Sequence, residues 1–228
     1  MSYVWMSLSQ LAARVRSAVG DRPGRLVLGV AGPPGAGKST FAAMLRDEID
    51  RQGGAPVAGV APMDGFHFTN AELAARGLAE RKGAPDTFDV AGYVNRLRAA
   101  RDTPTGRALR WPAYDRDLHE PVPDRIVLDD LRIVLTEGNY LLHDRAGWAD
   151  VRPCLDEVWY LDAPAELRTE RLLDRHRRGG RDAESARDKV TRTDLPNAEL
   201  VALTRDRADL ILHADAARYR IVAAGRRG

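Results

Sequence analysis

Residues 32–39 read GPPGAGKS, a complete G-x-x-x-x-G-K-[ST] pattern. The chain holds only three lysines, Lys38, Lys82 and Lys189, among 35 basic residues, so a pattern that demands lysine rarely arises in it by accident. The flanks fit the pattern. Residues 25–31 (RLVLGVA) form a short apolar run of the kind a buried parallel strand needs, and residues 39–46 continue as a helix. A strand, a glycine loop and a helix start aim successive backbone N–H groups at phosphate oxygens, and glycines let the backbone approach them. The pattern predicts a nucleoside triphosphate cradle built from Gly32, Pro33, Gly35, Ala36, Gly37, Lys38, Ser39 and Thr40. Lys38 would reach the β- and γ-phosphates, and Ser39 would ligate Mg²⁺.

At 228 residues the chain suits one α/β domain with an appended lid, or at most two small domains; we expect a single unit over 1–228. A hydrophobic content of 44% excludes a disordered polypeptide. The formal charge is +2, and arginines and acids alternate along the chain rather than forming blocks, which speaks against a nucleic-acid partner. Cys154 is solitary, so no disulfide framework or cysteine metal site is expected. No uncharged stretch approaches the ~20 residues of a membrane span, and the N-terminus lacks a signal peptide's basic and apolar blocks, so a soluble cytoplasmic protein is expected. Residues 7–10 (SLSQ) instead read as a capping box for a helix over about 7–20, with Leu8, Leu11, Ala12, Val15 and Val19 at helical spacing.

Strand and helix signals then alternate. Strands are expected at 57–63, 132–136 and 157–161, with one or two more in 208–212 and 219–223. Helices are expected at 89–101, capped by Asp89, at 164–178, and at 181–194 after the Gly179–Gly180 break. Residues 108–111 and 125–128 read as short strands flanking a proline-rich excursion. This is an α/β chain with a mainly parallel sheet. In such sheets ligands sit at the carboxyl ends of strands, which puts Asp64 and Glu137 beside the glycine loop. Glu137 is the candidate metal-side acid, directly or through water. Asp64 would face the γ-phosphate from the acceptor side and take the proton of an attacking hydroxyl.

Residues 63–70 (MDGFHFTN), 76–78 (RGL), 81–89 (RKGAPDTFD), 112–116 (PAYDR) and 137–142 (EGNYLL) carry a further signal. Over roughly residues 25–200 the chain resembles the phosphoribulokinase/uridine kinase superfamily of P-loop small-molecule kinases. The resemblance is strongest to short bacterial fructose-operon or nucleoside-kinase-like proteins, and some motifs are shared with bacterial pantothenate kinase. The resemblance implies a three-layer P-loop nucleoside triphosphate hydrolase fold with a helical lid, and a kinase using ATP and Mg²⁺. It matches Asp64 to the catalytic carboxylate, Glu137 to the metal-side acid, and Tyr114 and His119 to residues lining the acceptor pocket. The run after Tyr114 departs from pantothenate kinases, and Gly65–Phe66 departs from uridine kinases.

A phenol and an imidazole at Tyr114 and His119 offer an aromatic wall with hydrogen-bonding groups, suited to a sugar, base or polyol, and His67 stands three residues beyond Asp64. Trp111 reads as core. Arg168, Arg171, Arg175 and Arg178 recur on one helix face, with Glu170 and Asp174 as available partners. They read either as a solvated face or as a lid, over about 168–195, that closes on the transferring phosphate. By resemblance Arg171 and Arg175 are the lid arginines, and residues 194–197 approach the adenine side. The expected activity is transfer of the γ-phosphate of ATP to a hydroxyl of a small metabolite. Alternatives are a nucleoside monophosphate kinase, or a nucleotide-dependent regulatory module without small-molecule turnover. The residues before the three lysines exclude a guanine-reading Asn-Lys-x-Asp motif. The acceptor and the oligomeric state, monomer or homodimer, stay open.

Overall fold

A computed structural model describes residues 3–215, apart from 21 and 23, and residues 218–223. In chain order the elements begin with β1 (Tyr3–Ser7), α1 (Leu8–Val19), β2 (Leu26–Ala31), α2 (Lys38–Gly53), β3 (Ala58–Pro62), α3 (Asn70–Ala75) and α4 (Val90–Asp102). They continue with β4 (Leu109–Asp115), β5 (Glu120–Leu128), β6 (Ile133–Gly138), β7 (Glu157–Asp162), α5 (Ala165–Arg178), α6 (Ala183–Lys189), α7 (Leu195–Ala202), β8 (Leu210–Asp215) and β9 (Arg218–Ala223). Seven strands form one sheet in the order β1-β9-β8-β7-β2-β6-β3. The five from β8 to β3 are parallel, and β9 and β1 add an antiparallel margin.

Period-two burial divides the centre of this sheet into two faces. Leu26, Leu28 and Val30 of β2 join Leu135, Trp159 and Leu212 under α1 and α2, which contribute Leu11, Val15, Phe41, Leu45 and Ile49. Val27 and Ala31 face the other way, with Val134, Val158 and Tyr160, against Tyr93 and Leu97 of α4, Trp148, and Val201 of α7. Both faces of β2 are buried, which is why its sequence is continuously apolar rather than alternating. The result is the expected α/β architecture of three layers.

Several local expectations are met. Ser7 caps α1 by accepting from the Gln10 N–H, and the Gln10 side chain answers the Ser7 N–H at 2.8 Å. Asp89 caps α4 through the Gly92 N–H at 2.9 Å. Trp111 is fully buried, and its indole N–H donates to the Pro62 carbonyl at 2.9 Å.

Others need correction. β1 was not expected. Among the described residues its ladder is to β9, more than 200 residues away, so no local signal announces it. The proline-rich excursion is largely strand: β4 and β5 form a separate two-stranded ribbon with a register shift between Trp111 and Ala113. Pro112, Pro121 and Pro123 are tolerated because each strand of such a ribbon has a free edge and the shift relaxes the ladder. The expected helix at 181–194 starts at Ala183, capped by Asp182, and does not stop at Asp194. It passes through a π-helical turn (Val190–Asp194) into α7. Pro196 cannot donate to the carbonyl four residues earlier, and the widened turn accommodates that missing bond.

Two contacts fix the ribbon to the sheet. A Cβ on Gly65 would collide with the Pro112 carbonyl, so only glycine lets β4 cross the turn after β3 this closely. At the opposite end, Arg25 is 2% exposed and its guanidinium donates to the carbonyls of Leu131 (2.9 Å), Thr103 (2.7 Å) and Arg107 (3.0 Å). It ties the end of α4 and both feet of the ribbon to the start of β2. Arg25→Met would strand these carbonyls, and we expect a loss of about 2–4 kcal/mol in denaturant unfolding with an unchanged slope. A loss below about 1 kcal/mol would mean the carbonyls find other partners.

Candidate active site

β2 delivers the chain at Ala31 beside β6, with Val30 opposite Glu137 and Ala31 opposite Gly138. The glycine loop then turns back over the sheet edge. Gly35 has φ +78°, and a Cβ there would lie 2.7 Å from the Arg168 carbonyl oxygen. α2 opens directly at Lys38 behind left-handed Gly37, and no side chain caps its first N–H groups, which leaves them directed at the loop. The Lys38 ammonium is buried and donates to Asn139 Oδ1 at 2.7 Å and to the Pro33 carbonyl at 3.1 Å. Burial lowers its pKa to about 8, opposed by the nearby Glu137 and Asp64 carboxylates. Ser39 Oγ donates to Glu137 Oε1 at 2.8 Å. Glu137 is pushed above the usual carboxylate range, chiefly by burial and then by Asp64, while Lys38 and Ser39 pull it back.

The second acid arrives from β3, where Pro62 stands opposite Glu137. Two residues on, Asp64 lies in a short 3-10 turn (Met63–Phe66) and is half-buried. Arg116 Nη2 is 3.7 Å from Asp64 Oδ2. His67 Nδ1 lies 2.8 Å from the Asp64 carbonyl, which can only accept, so that nitrogen carries the proton. Burial lowers the His67 pKa, so Nε2 is an acceptor at neutral pH. The His67 ring lies 4.0 Å from Phe88 and 5.0 Å from Tyr114, giving Asp64 an aromatic border. Burial, reinforced by Asp64, raises the Tyr114 pKa to about 12, which keeps the phenol neutral. Asp64, His67 and Tyr114 therefore come together. His119 does not join them through its side chain. It sits exposed at the ribbon turn with φ +53°, and it is its carbonyl that is engaged, by Lys82 Nζ at 2.7 Å.

The α5 arginines are distributed over different partners. Arg171 Nη1 donates to the Gly35 and Ala36 carbonyls, both at 3.3 Å. Arg168 Nε donates to the Ala163 carbonyl at 3.1 Å, and its buried Nη1 has no partner among the described residues. Arg175 stands 3.9 Å from Asp194, which His176 engages at 2.6 Å. Among the described residues neither Glu170 nor Asp174 pairs with these arginines, because the α5 face bearing them turns to the glycine loop and Asp194 instead. The expected segment 168–195 has no boundary at either end: α5 begins at Ala165, and the last helix runs on to Ala202. Residues 194 and 197 are occupied by protein groups, Asp194 by His176 and Asn197 by the Gly83 carbonyl at 3.1 Å.

Sequence reasoning missed Asn139, the partner of Lys38, and Arg116, the partner of Asp64. Asn139 follows the acid–glycine end of β6, and a polar residue leaving the strand beside the loop is the signal that points to it. Among the described residues no group of three His, Cys, Asp or Glu could hold a metal, and no helix is long and apolar enough to cross a membrane. The all-oxygen pair of Ser39 and Glu137 does suit Mg²⁺, which takes one or two protein oxygens together with phosphate oxygens and water.

Residues 27–218 match the family described as Phosphoribulokinase / Uridine kinase family. The chain is 37% identical to YggC of Escherichia coli (strain K12), over 82% of this chain and 77% of that protein. It is 32% identical to the pantothenate kinase of Paenarthrobacter aurescens (strain TC1), over 91% and 73% of the two chains. A crystal structure from Silicibacter sp. TM1040, provisionally called a fructose transport system kinase, superposes with a TM-score of 0.81 at 33% identity, covering 90% of this chain and 98% of the other.

The lowered Lys38 pKa carries a pH dependence. A bound triphosphate favours the protonated ammonium, so nucleotide affinity is steady below about pH 8. Above it, affinity falls by up to about tenfold per pH unit as the free protein loses that proton. Calorimetric titration with β,γ-imido-ATP and Mg²⁺ between pH 7 and 9.5 tests this. Lys38→Met should bind weakly with a flat profile, and a flat profile in the unaltered protein would refute the assignment.

Proposed function

The chain belongs to the phosphoribulokinase/uridine kinase family and is a P-loop kinase, and from that premise we propose that it transfers the γ-phosphate of ATP to a hydroxyl of a small metabolite. One observation carries the reading. A carboxylate, Asp64, stands across from Lys38, Ser39 and Glu137 at the neighbouring strand ends, bordered by His67 and Tyr114. A sugar, a nucleoside and a pantothenate-like alcohol all present the hydroxyl such a site takes.

Gly32, Pro33, Gly35, Ala36, Gly37 and Thr40 frame the triphosphate, and Lys38 balances charge at its β- and γ-phosphates. Ser39 and Glu137 would hold Mg²⁺, which when bound supplies neutralising charge to phosphate oxygens. The acceptor hydroxyl oxygen forms the new bond to the γ-phosphorus. The bond to the β,γ-bridging oxygen breaks, and ADP leaves with that electron pair. The acceptor proton passes to Asp64 late, since the transition state is loose, so the carboxylate mainly orients the nucleophile. His67 positions the turn carrying Asp64 and offers Nε2 as an acceptor, Tyr114 forms the pocket wall, and His119 lies on the rim. Arg171 and Arg175 hold their present partners only at 3.3 and 3.9 Å, so rotation of their side chains would free both for the moving phosphoryl group.

A nucleoside monophosphate kinase is the second reading, and Asp64 weighs against it. A phosphate nucleophile needs no base, and a regulatory module has no acceptor to deprotonate. Conversion of ATP to ADP by the purified protein with Mg²⁺, over a panel of sugars, nucleosides, pantothenate and nucleoside monophosphates, tests the proposal. Asp64→Asn should lower acceptor-dependent turnover by about 10²–10⁴-fold with ATP affinity unchanged, whereas Lys38→Ala should impair both. Equal loss of ATP binding in the two variants, or full activity in Asp64→Asn, would overturn it.

A further inference from the structure

Thirty-two of the 35 basic residues are arginine; of the three lysines, Lys38 and Lys82 lie in or beside the candidate site and Lys189 is bonded to Lys82. Lys38 is in the glycine loop. Lys82 Nζ sits 5.2 Å from the centre of the Tyr114 ring, the ring that borders His67 and Asp64. Lys189 reaches over from α6 and donates to the Lys82 carbonyl at 3.0 Å. Both ammonium groups are bonded only to neutral oxygens: Lys82 to Asn70 Oδ1 (2.6 Å) and the His119 carbonyl (2.7 Å), Lys189 to Lys82. Neither has a carboxylate oxygen within 4.0 Å among the described residues.

The contrast with the rest of the surface is informative. Arginines on this chain are commonly set against acids, as in Arg14–Glu157, Arg152–Asp209 and Arg207–Asp144. Near Lys82 the adjacent acid, Glu120, instead accepts the Asn70 N–H at 3.0 Å. Partial burial lowers the pKa of both lysines, with Glu120 opposing at Lys82 and Asp194 at Lys189. Two partly desolvated cations with no carboxylate in direct contact among the described residues, one of them over the Tyr114 ring, form a receptor for an anion supplied from outside. An ammonium is a compact point charge that can pivot toward either a carboxylate or a phosphate monoester.

We propose that the acceptor is an anionic alcohol, whose hydroxyl meets Asp64 while its carboxylate or phosphate group is held by Lys82 and, from α6, by Lys189. The inference rests on the kinase reading and narrows it to a substrate class. It makes Lys82 a specificity determinant rather than a catalytic residue. Because Lys189 lies beyond the Gly179–Gly180 break, an anion bridging the two lysines would also hold α6 against the acceptor pocket, coupling closure to the correct acceptor.

The test uses matched acceptors that differ by one anionic group: pantothenol with pantothenate, glycerol with glycerate, ribose with ribose 5-phosphate. For at least one pair the anionic member should show a kcat/KM at least tenfold above its neutral counterpart. Whether that pair carries a carboxylate or a phosphate identifies the group. Lys82→Met should raise KM for the anionic member at least tenfold with kcat within about threefold, leave the neutral member unchanged, and be partly rescued by Lys82→Arg. If Lys82→Met does not fold, Lys189→Met takes its place with the same expected split. Neutral alcohols turned over as well as their anionic counterparts, or equal losses on both, would overturn the proposal. If none of these acceptors is phosphorylated, calorimetric binding of the same anions to protein loaded with β,γ-imido-ATP and Mg²⁺ decides the anion site separately. Binding abolished by Lys82→Met sustains the site, and no binding by any anion refutes it.

Discussion

The cost of burying the Lys38 ammonium organises this molecule. A cation held out of water must be met on all sides, and the chain meets it from three places. The Pro33 carbonyl comes from the glycine loop, the Asn139 amide from the end of β6, and the Glu137 carboxylate from β6 itself. Those groups converge only because β2 and β6 are parallel neighbours in one register. The same register sets Ser39 against Glu137, and β3 on the far side of β6 brings Asp64 within electrostatic reach of Glu137 and Lys38. Strand order therefore decides the site: β6 is inserted between β2 and β3, and the two acids enter from adjacent strand ends.

Around that cluster the protein spends its rigidity unevenly. The side holding the triphosphate loop is built on five parallel strands with apolar residues on both faces. The acceptor side hangs on a two-stranded ribbon, fixed by the close approach at Gly65 and by Arg25 at its feet. α5 touches the glycine loop through a long arginine contact and is joined to the π-helical turn by the His176–Asp194 bond, and α6 reaches Lys82 through Lys189. On the proposed reading, a phosphate cradle anchored in the sheet faces an acceptor wall carried by the ribbon, which separates donor chemistry from acceptor choice.

Legibility in the sequence followed the range of the interactions. The glycine loop, the caps at Ser7 and Asp89 and the apolar strands were readable because each depends on residues within a few positions of one another. β1 was not, since its partner is at the other end of the chain, and neither was the continuation through the π-helical turn into α7. The ribbon was read as two short strands around an excursion because its prolines argue against strand in any sheet interior, and only the two-stranded pairing removes that objection. His119 shows the same limit at the site: its residue type suggested a ring in a pocket, whereas its backbone carbonyl is the atom in use.

By itself, then, the sequence determined the local chemistry: a phosphate-binding turn, acids at the ends of two strands, and an arginine-bearing helix face. The tertiary structure decided which of these groups face one another. It brought Asn139 to Lys38, Arg116 to Asp64, Lys82 to the wall beside Tyr114 and Lys189 to the Lys82 carbonyl, and it set the α5 arginines against the glycine loop and Asp194 rather than Glu170 and Asp174. The physical reason is that propensity, capping and loop geometry are settled by neighbours in the chain. The charge environment of a buried group is settled by strand order and crossing segments, which no stretch of a few residues contains.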